Sequence, residues 1–325
     1  SSVMADYPNT SKEFQVQFVT EDDCVKYLLR IRWPDGFVCP FCHAKADAWI
    51  SERYKLKCPK CRKVHSVLSG TIFQGTHTPL LTWFRIMWHI CLQKNGYSAL
   101  SVQRSLELSY PTAWLCLHKL RRAMVRNDQD RLSGEVEVDE CYVGGVREGK
   151  RGRGADRKSI VLVAAERKLS EKTGRTIFGR IRLKCIPNVS GETLSKEIKA
   201  LIEPGTTIHS DGWSGYNGVE VAGYPHVAHK QKAIKQTTPF SEEGNLTEDS
   251  SLPLCHRAIS LLKRWILGTL QGSVGKDHLQ DYLNEFTFRF NRRSSKYRGM
   301  LFWRLIQMAT THQASSQKEI VNHKM

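Results

Sequence analysis

The sequence predicts a mixed α/β protein, in which a small cysteine-rich unit and a helical segment precede a larger domain that contains strands. Three observations support this fold class. Two Cys-x-x-Cys pairs lie near the N-terminus, apolar residues recur at helical spacing from Leu80 onward, and polar–apolar alternation begins at Glu135. A chain of 325 residues is long enough for about two domains. We expect boundaries that divide it into residues 1–76, 77–133, 134–310 and a polar tail at 311–325.

The composition is strongly basic and indicates a polyanionic partner. Lys and Arg number 49 against 32 Asp and Glu, which gives a formal net charge of +17. Nucleic acid and an anionic membrane surface both fit that charge, and an excess that only aids solubility is the alternative. The most apolar helical stretch, Leu80 to Leu92, carries Arg85 and His89 and is shorter than the roughly 20 residues that a membrane span needs. We therefore expect a nucleic-acid partner and no membrane.

The cysteines and the first residues predict a reducing compartment. Of the ten cysteines, four form the two pairs and the others are scattered singly, a spacing typical of a metal site. No charged-then-apolar signal pattern begins the chain. The cytoplasm is the predicted location.

The two Cys-x-x-Cys pairs have the spacing of a zinc ribbon. They are Cys39 with Cys42 and Cys58 with Cys61, and 15 residues separate them. Each pair bends the backbone into a tight knuckle that points two sulfurs at one position, and two knuckles complete a tetrahedral thiolate shell, which suits Zn²⁺. Two disulfides or an iron–sulfur site are the rival interpretations.

The segment after the ribbon predicts a helix-turn-helix that binds DNA. Two short helices are expected over residues 98–106 and 111–124, joined by a tight turn. Arg121, Arg122 and Arg126 lie at the end of the second helix, and we expect them to contact DNA. An ordinary helical hairpin with a solvated basic face is the alternative.

Strand periodicity begins at Glu135 and ends at Gly144. The elements expected after it are strands at 160–165 and 177–183, a helix at 190–202 and a strand at 206–210. Three strands that can pair antiparallel, a helix and a further strand describe the opening of a ribonuclease-H-like fold.

Basic residues follow the first strand and also end the last helical region. Helices are expected over 254–266 and 277–290. The basic residues, which fit phosphate contacts that position DNA without specifying its sequence, are Arg151, Arg153, Arg289, Arg292 and Arg293.

Two aspartates are placed to hold divalent metal ions. Asp139 lies inside the first strand, where propensity disfavours an acid, and Asp211 ends a later strand. Phosphoryl transfer on DNA can use two metal ions held by a few carboxylates, and Mg²⁺ needs only two or three protein ligands. A surface-facing acid is the alternative for Asp139. Glu137 and Glu140 flank Asp139, and we expect alternation to turn both of them away from its face.

Over residues 15 to 310 the sequence resembles bacterial insertion-sequence transposases of the DDE type, in the ISXO-like group related to Merlin elements. The motifs that carry the resemblance are Val138-Asp139-Glu140-x-Tyr142-Val143-Gly144-Gly145, Ile208-His209-Ser210-Asp211-Gly212-Trp213-x-x-Tyr216, Ser260-Leu261-Leu262-Lys263-Arg264-Trp265 and the run from Tyr282 to Arg293. It implies a ribonuclease-H-like catalytic domain that binds double-stranded DNA, cuts at terminal inverted repeats and joins the 3′ hydroxyls to target DNA. It also implies Mg²⁺ or Mn²⁺ at the catalytic site and a homo-oligomer.

By position, the resemblance makes Asp139 and Asp211 the first two catalytic acids and leaves the third ligand open. In many relatives that acid lies seven residues before a lysine, and counting back from Lys263 gives His256. Seven residues are almost two helical turns, so both side chains share a face, and a neutral imidazole can still bind a metal. Lys263 would then hold a DNA phosphate or the terminal base.

Glu285 is the alternative third ligand, because it precedes Arg292 by the same seven residues. An ion pair with Arg289, one turn along its helix, is the structural alternative for Glu285. We favour His256 as the ligand.

The predicted function is a DNA transposase. The runner-up is a catalytically impaired or domesticated DNA-binding protein derived from one, an interpretation that the histidine at position 256 keeps open.

Overall fold

The computed structural model describes residues 6–45, 47, 49–52, 54–93, 95–126, 131–144, 158–220, 222–229, 252–270, 274–312 and 316–321. The predicted DNA contacts Arg151 and Arg153 lie outside these residues. The chain forms two compact units. One joins the chain up to Met124 with the chain from Ser294 onward, and the other runs from Val125 to Arg293.

Each helix and strand expected between Leu80 and Phe290 is observed close to its expected position. The helices are α1 (Ser11–Gln17), α2 (Glu21–Arg32), α3 (Leu80–Leu92), α4 (Ala99–Leu106), α5 (Tyr110–Ala123), α6 (Gly191–Leu201), α7 (Pro253–Leu270), α8 (Leu279–Asn291), α9 (Arg298–Thr311) and α10 (Gln317–Val321). The strands are β1 (Trp49–Glu52), β2 (Lys55–Lys57), β3 (Val64–Ser66), β4 (Glu135–Val143), β5 (Ser159–Leu169), β6 (Thr176–Ile186), β7 (Thr207–Ser210) and β8 (His226–Ala228). Within the described part of the chain, no helix is both long and apolar enough to cross a membrane.

An aromatic cluster joins the two ends of the chain in the first unit. The ring of Phe302, on α9, lies 5.5 Å from that of Phe14, 5.8 Å from that of Phe84 and 5.6 Å from that of Trp88, between centroids. Large aromatic side chains dominate the energetics of a core, so this cluster holds α9 against the N-terminal helices. The sequence-based division instead placed residues 294–310 with the strands, because helical spacing shows that a face is apolar but not what covers it.

The N-terminus of α3 is capped by a carboxylate from another helix. Its own N-cap position is Pro79, which makes no side-chain cap. The Glu21 carboxylate instead accepts the N–H groups of Leu80 at 2.5 Å and Leu81 at 3.1 Å. The unpaired N–H groups at a helix start need acceptors, and here a side chain of another helix, α2, supplies them.

The second unit is built on a mixed sheet whose order, among the described strands, is β6-β5-β4-β7-β8. The strands β4, β5 and β6 pair antiparallel, while β7 pairs parallel to β4 and β8 parallel to β7. This topology confirms the predicted ribonuclease-H-like fold. The crossover from β6 to β7 contains α6, which covers one face of the sheet.

Alternation along β4 divides its side chains between two cores. Val136 and Val138 pack with residues of α6, whereas Cys141 and Val143 pack with residues of α7 and α8 on the other face. Successive strand residues point to opposite faces, so Asp139 shares the face that α7 covers. The sheet therefore presents Asp139 to the helix that carries His256.

Candidate metal centre and catalytic site

Four cysteine sulfurs converge on one point in the ribbon. The Sγ atoms of Cys39 and Cys61 lie 3.7 Å apart, those of Cys42 and Cys58 lie 3.8 Å apart, and all four lie within 4.8 Å of one another. The cysteines are free thiols, which disfavours the disulfide alternative. Four convergent thiols have the ligand number and chemistry of a structural Zn²⁺ site.

The two knuckles of the ribbon have the same backbone geometry. The N–H of His43 donates to the Cys39 carbonyl at 2.9 Å, and the N–H of Arg62 donates to the Cys58 carbonyl at 2.9 Å. Both residues are left-handed, with φ of 54° at His43 and 59° at Arg62. A left-handed residue after the second cysteine is what turns each pair of sulfurs toward the common point. Neither is glycine, so the ribbon accepts a conformational cost at both positions.

Asp139 and Asp211 come from neighbouring parallel strands in the same register. The ladder between β4 and β7 pairs Glu135 with Thr207 and Glu137 with His209, an offset of 72 residues. The same offset relates Asp139 to Asp211, which directly follows β7. The two aspartates predicted to act together thus keep the register of the ladder, Asp139 on β4 and Asp211 directly after β7.

His256 completes the group from the first turn of α7. Its Nε2 atom lies 3.4 Å from Asp139 Oδ2, with side-chain exposures of 47 % and 15 % respectively. The hydrogen bond to Asp139 raises the pKa of His256, and the charges of Glu137 and Asp211 act in the same direction. His256 is therefore within electrostatic reach of both aspartates.

Lys263 lies two turns further along α7 and is exposed. Burial raises the pKa of the Cys141 thiol to about 12, and the Lys263 ammonium opposes that rise. Cys141 is two residues beyond Asp139 on the same face of β4, so Lys263 flanks the carboxylates on the side of α7.

Glu285, the alternative third ligand, lies away from this group. It is on α8, which packs on the edge strand β6, two positions from β4 in the sheet. Its carboxylate is 1 % exposed and accepts a hydrogen bond from Arg289 Nη2 at 3.1 Å. The structure thus brings His256, and not Glu285, to Asp139.

Comparisons with known proteins point to the same domains. A family model described as the ISXO2-like transposase domain matches residues 131–291, and one described as the transposase zinc-ribbon domain matches residues 19–64. The chain combines a transposase zinc ribbon with an ISXO2-like transposase domain. It is also 25 % identical over 297 residues to an uncharacterized protein in transposable element ISH50 of Halobacterium salinarum, which covers 84 % of this chain and 91 % of that protein.

The transposase domain contains a buried carboxylate that the sequence-based assignment misplaced. Glu137 is fully buried, and its Oε2 accepts the N–H groups of Leu254 at 2.8 Å and Cys255 at 3.0 Å in the first turn of α7. The expectation that alternation turns Glu137 away from Asp139 is wrong, because residues two apart on a strand share a face. Burial raises the pKa of Glu137. Glu137 holds the start of the helix that presents His256.

Glu140 lies on the opposite face of β4 from Asp139, as alternation predicts. Its Oε2 accepts a hydrogen bond from the Tyr216 hydroxyl at 2.7 Å, and Tyr216 is fully buried. Burial raises the pKa of Glu140, and the charges of Asp139 and Asp211 add to that rise. Glu140 thereby ties the segment after Asp211 to β4.

The predicted DNA contacts on α5 separate into different environments. Arg121 is only 2 % exposed, so it does not offer its guanidinium to a DNA backbone. The prediction that Arg121 contacts DNA is therefore wrong. Arg122 and Arg126 are partly exposed. Helical position alone does not distinguish a basic side chain on the surface from one folded into the unit.

The arginines at the end of α8 have partners within the transposase domain. Arg289 pairs with Glu285, and the Arg292 guanidinium lies 4.4 Å above the Phe288 ring. Arg293 donates to the carbonyls of Phe178 at 3.2 Å and Gly179 at 3.3 Å on β6. Arg293 therefore fastens the end of α8 to the edge strand, whereas the contacts of Arg289 and Arg292 are made within α8 and its C-terminal turn.

Proposed function

We propose that this chain is a DNA transposase that binds the terminal inverted repeats of an insertion sequence and catalyses metal-dependent strand cleavage and strand transfer. The observation that carries the proposal is the 3.4 Å contact between His256 Nε2 and Asp139 Oδ2, at a site where the charge of Asp211 also acts on His256. Asp139 lies on β4, Asp211 directly follows the neighbouring strand β7, and His256 lies on the helix α7 that packs on β4.

The donor set fits divalent cations. Two carboxylates and an imidazole supply oxygen and nitrogen ligands, and Mg²⁺ or Mn²⁺ binds with few protein ligands and several waters. Bound metal would supply activation of the attacking oxygen and stabilisation of the leaving oxygen. Asp139 and Asp211 would hold the cations, with His256 as the third ligand through a neutral ring nitrogen.

Lys263 and the basic surface would hold the DNA. Lys263 is exposed beside the carboxylates and would bind a phosphate next to the one that reacts. The net charge of +17 supplies the sequence-independent part of the affinity for double-stranded DNA. The zinc ribbon and the helices α4 and α5 would bind the element ends. A homo-oligomer would bring two ends together, in the cytoplasm.

A catalytically impaired or domesticated DNA-binding protein is the second candidate. One observation favours it: His256 brings one negative charge fewer to the cations than a third carboxylate would. The two candidates differ in whether bound DNA is cut.

The test combines purified protein, a labelled terminal-repeat duplex and Mg²⁺ or Mn²⁺. We expect metal-dependent nicking that Asp139→Asn and Asp211→Asn each reduce by about a thousandfold, since several kcal/mol of transition-state stabilisation would be lost. Thermal unfolding of both variants checks that the fold is kept. Specific binding without nicking by the wild-type chain would refute the enzyme and support the DNA-binding protein.

A matched pair of variants identifies the third ligand. We expect His256→Ala to raise the metal concentration needed for half-maximal cleavage, because it removes a donor beside Asp139. Glu285→Gln should leave that concentration unchanged, although it lowers stability by breaking the pair with Arg289. If only the Glu285 variant changes the metal dependence, His256 is not the ligand.

A further inference from the structure

An exposed indole lies two residues beyond Asp211. Trp213 is 48 % exposed, and its chain neighbours Gly212 and Ser214 are small and exposed as well. A tryptophan buries more apolar area than most side chains when it is covered, so leaving half of it in water costs stability. The core of the transposase domain does not use this exposed surface.

The indole is held in place from both ends of its segment. The backbone N–H of Trp213 donates to Asp211 Oδ1 at 3.0 Å, which ties the Trp213 backbone to that carboxylate. A short 3₁₀ helix, Ser214–Tyr216, follows, and the Tyr216 hydroxyl donates to Glu140 next to Asp139. Trp213 is thus linked to Asp211 through its own backbone. The segment that follows it is linked to Glu140, the neighbour of Asp139, through Tyr216.

Gly215 gives the ring the space it occupies. A Cβ atom at this position would lie 2.6 Å from Trp213 Nε1 and 2.7 Å from Trp213 Cδ1, closer than real Cβ contacts. Its next neighbour would be Leu194 Cδ1, on the buried side of α6, at 3.0 Å. The ring therefore packs directly against the glycine backbone, and any larger residue at position 215 has to displace it.

We propose that Trp213 is a stacking platform for a nucleobase next to the scissile phosphate, an inference that rests on the proposed function. A phosphate held at Asp139 and Asp211 carries its nucleoside within reach of a ring two residues from Asp211. Every base offers a π-face, so one rigid exposed indole binds any of them, and the flat ring suits a base that is unpaired. A single exposed ring between small residues offers enough surface to bind one base. An apolar protein partner would need a larger, contiguous apolar patch on this domain.

The test uses a duplex with a single-stranded 3′ overhang that contains 2-aminopurine, in Ca²⁺ so that binding is measured without cleavage. We expect wild-type protein to quench the fluorescence. Trp213→Ala should abolish the quenching and weaken binding by about 5- to 150-fold, the range that loss of one base stack gives. Trp213→Phe should keep most of both.

Two further variants separate stacking from general damage. Gly215→Ala keeps the indole but displaces it, so quenching should fall while thermal unfolding confirms that the domain is folded. Tyr142→Ala removes another exposed aromatic ring of the same domain and should leave quenching unchanged. Undiminished quenching in Trp213→Ala refutes the proposal, and so does an equal loss in Tyr142→Ala.

The outcomes for stacking and for the enzyme are independent. If the aspartate variants abolish cleavage while Trp213→Ala binds and quenches as the wild type does, the transposase stands and the stacking platform is refuted. If the wild type does not cleave but quenching depends on Trp213, the stacking platform stands and the enzyme is refuted.

Discussion

The zinc ribbon and the carboxylate site are assembled in opposite ways. All four ribbon ligands lie between Cys39 and Cys61, in two knuckles with the same geometry. The three groups proposed for the carboxylate site lie between Asp139 and His256: one on a strand, one directly after the neighbouring strand and one on a helix. The ribbon builds its site from local turns, whereas the transposase domain needs a complete sheet before its proposed ligands come near one another.

This difference predicts where each metal matters. The ribbon has a small core and depends on its ligands for folding, as metal-stapled units do. The sheet of the transposase domain has apolar cores on both faces, so its ligands sit on a scaffold that is stable in their absence. Removing metal should therefore unfold the first site and only inactivate the second.

The largest expected effect is the loss of the ribbon without zinc. Cys58→Ser or a strong chelator should unfold it, because structural zinc contributes about 10–16 kcal/mol of apparent binding free energy that is coupled to folding. Limited proteolysis and zinc analysis measure the loss. Cys185→Ser, outside the ribbon, is the control and should keep zinc. A ribbon that resists protease while free of metal would contradict the comparison.

A smaller effect is expected at Glu137, the buried residue of β4 that caps the start of α7. Glu137→Gln should cost about 1–3 kcal/mol, because an amide replaces the buried carboxylate that accepts two N–H groups of α7. It should also raise the metal concentration for half-maximal cleavage, since α7 carries His256. The control is Glu135→Gln, on the same face but 58 % exposed, which should change neither. Lower stability with unchanged metal dependence would make Glu137 structural only.

The smallest effect concerns the two left-handed residues of the ribbon. His43→Gly and Arg62→Gly should each stabilise the zinc-bound ribbon by about 1 kcal/mol, because glycine adopts positive φ without a Cβ clash. Lys63→Gly is the matched control and should give no gain, as Lys63 is not left-handed. Zinc release rates under chelator measure all three. Equal gains in the control would show that the knuckle geometry is not strained.

Local signals predicted most elements well. The strand expected from Glu135 is observed over Glu135–Val143, and the helices expected at 98–106 and 111–124 are observed as Ala99–Leu106 and Tyr110–Ala123. Ser98 and Ser109 cap those two helices through their own side chains, a contact within three residues. Periodicity and caps of this kind are written in neighbouring residues.

Contacts between distant segments were not predictable in the same way. The caps of α3 and α7 come from Glu21 and Glu137, and nothing near either helix start reveals them. The packing of α9 in the first unit depends on Phe302 meeting Phe14, nearly the whole chain away. The buried Arg121 and the engaged Arg293 show that a basic residue's environment is also a tertiary property.

The sequence by itself predicted the ribbon, most of the strands and helices between α3 and α8, and the acids at 139 and 211. Cysteine spacing, hydrophobic period and an acid inside a strand are local patterns with local physical causes. Only the tertiary structure brought His256, rather than Glu285, to Asp139, revealed Glu137 under α7, and left Trp213 half exposed beside Asp211. These depend on which strands are neighbours and which helix covers them, and burial and pairing follow from that arrangement rather than from residue type.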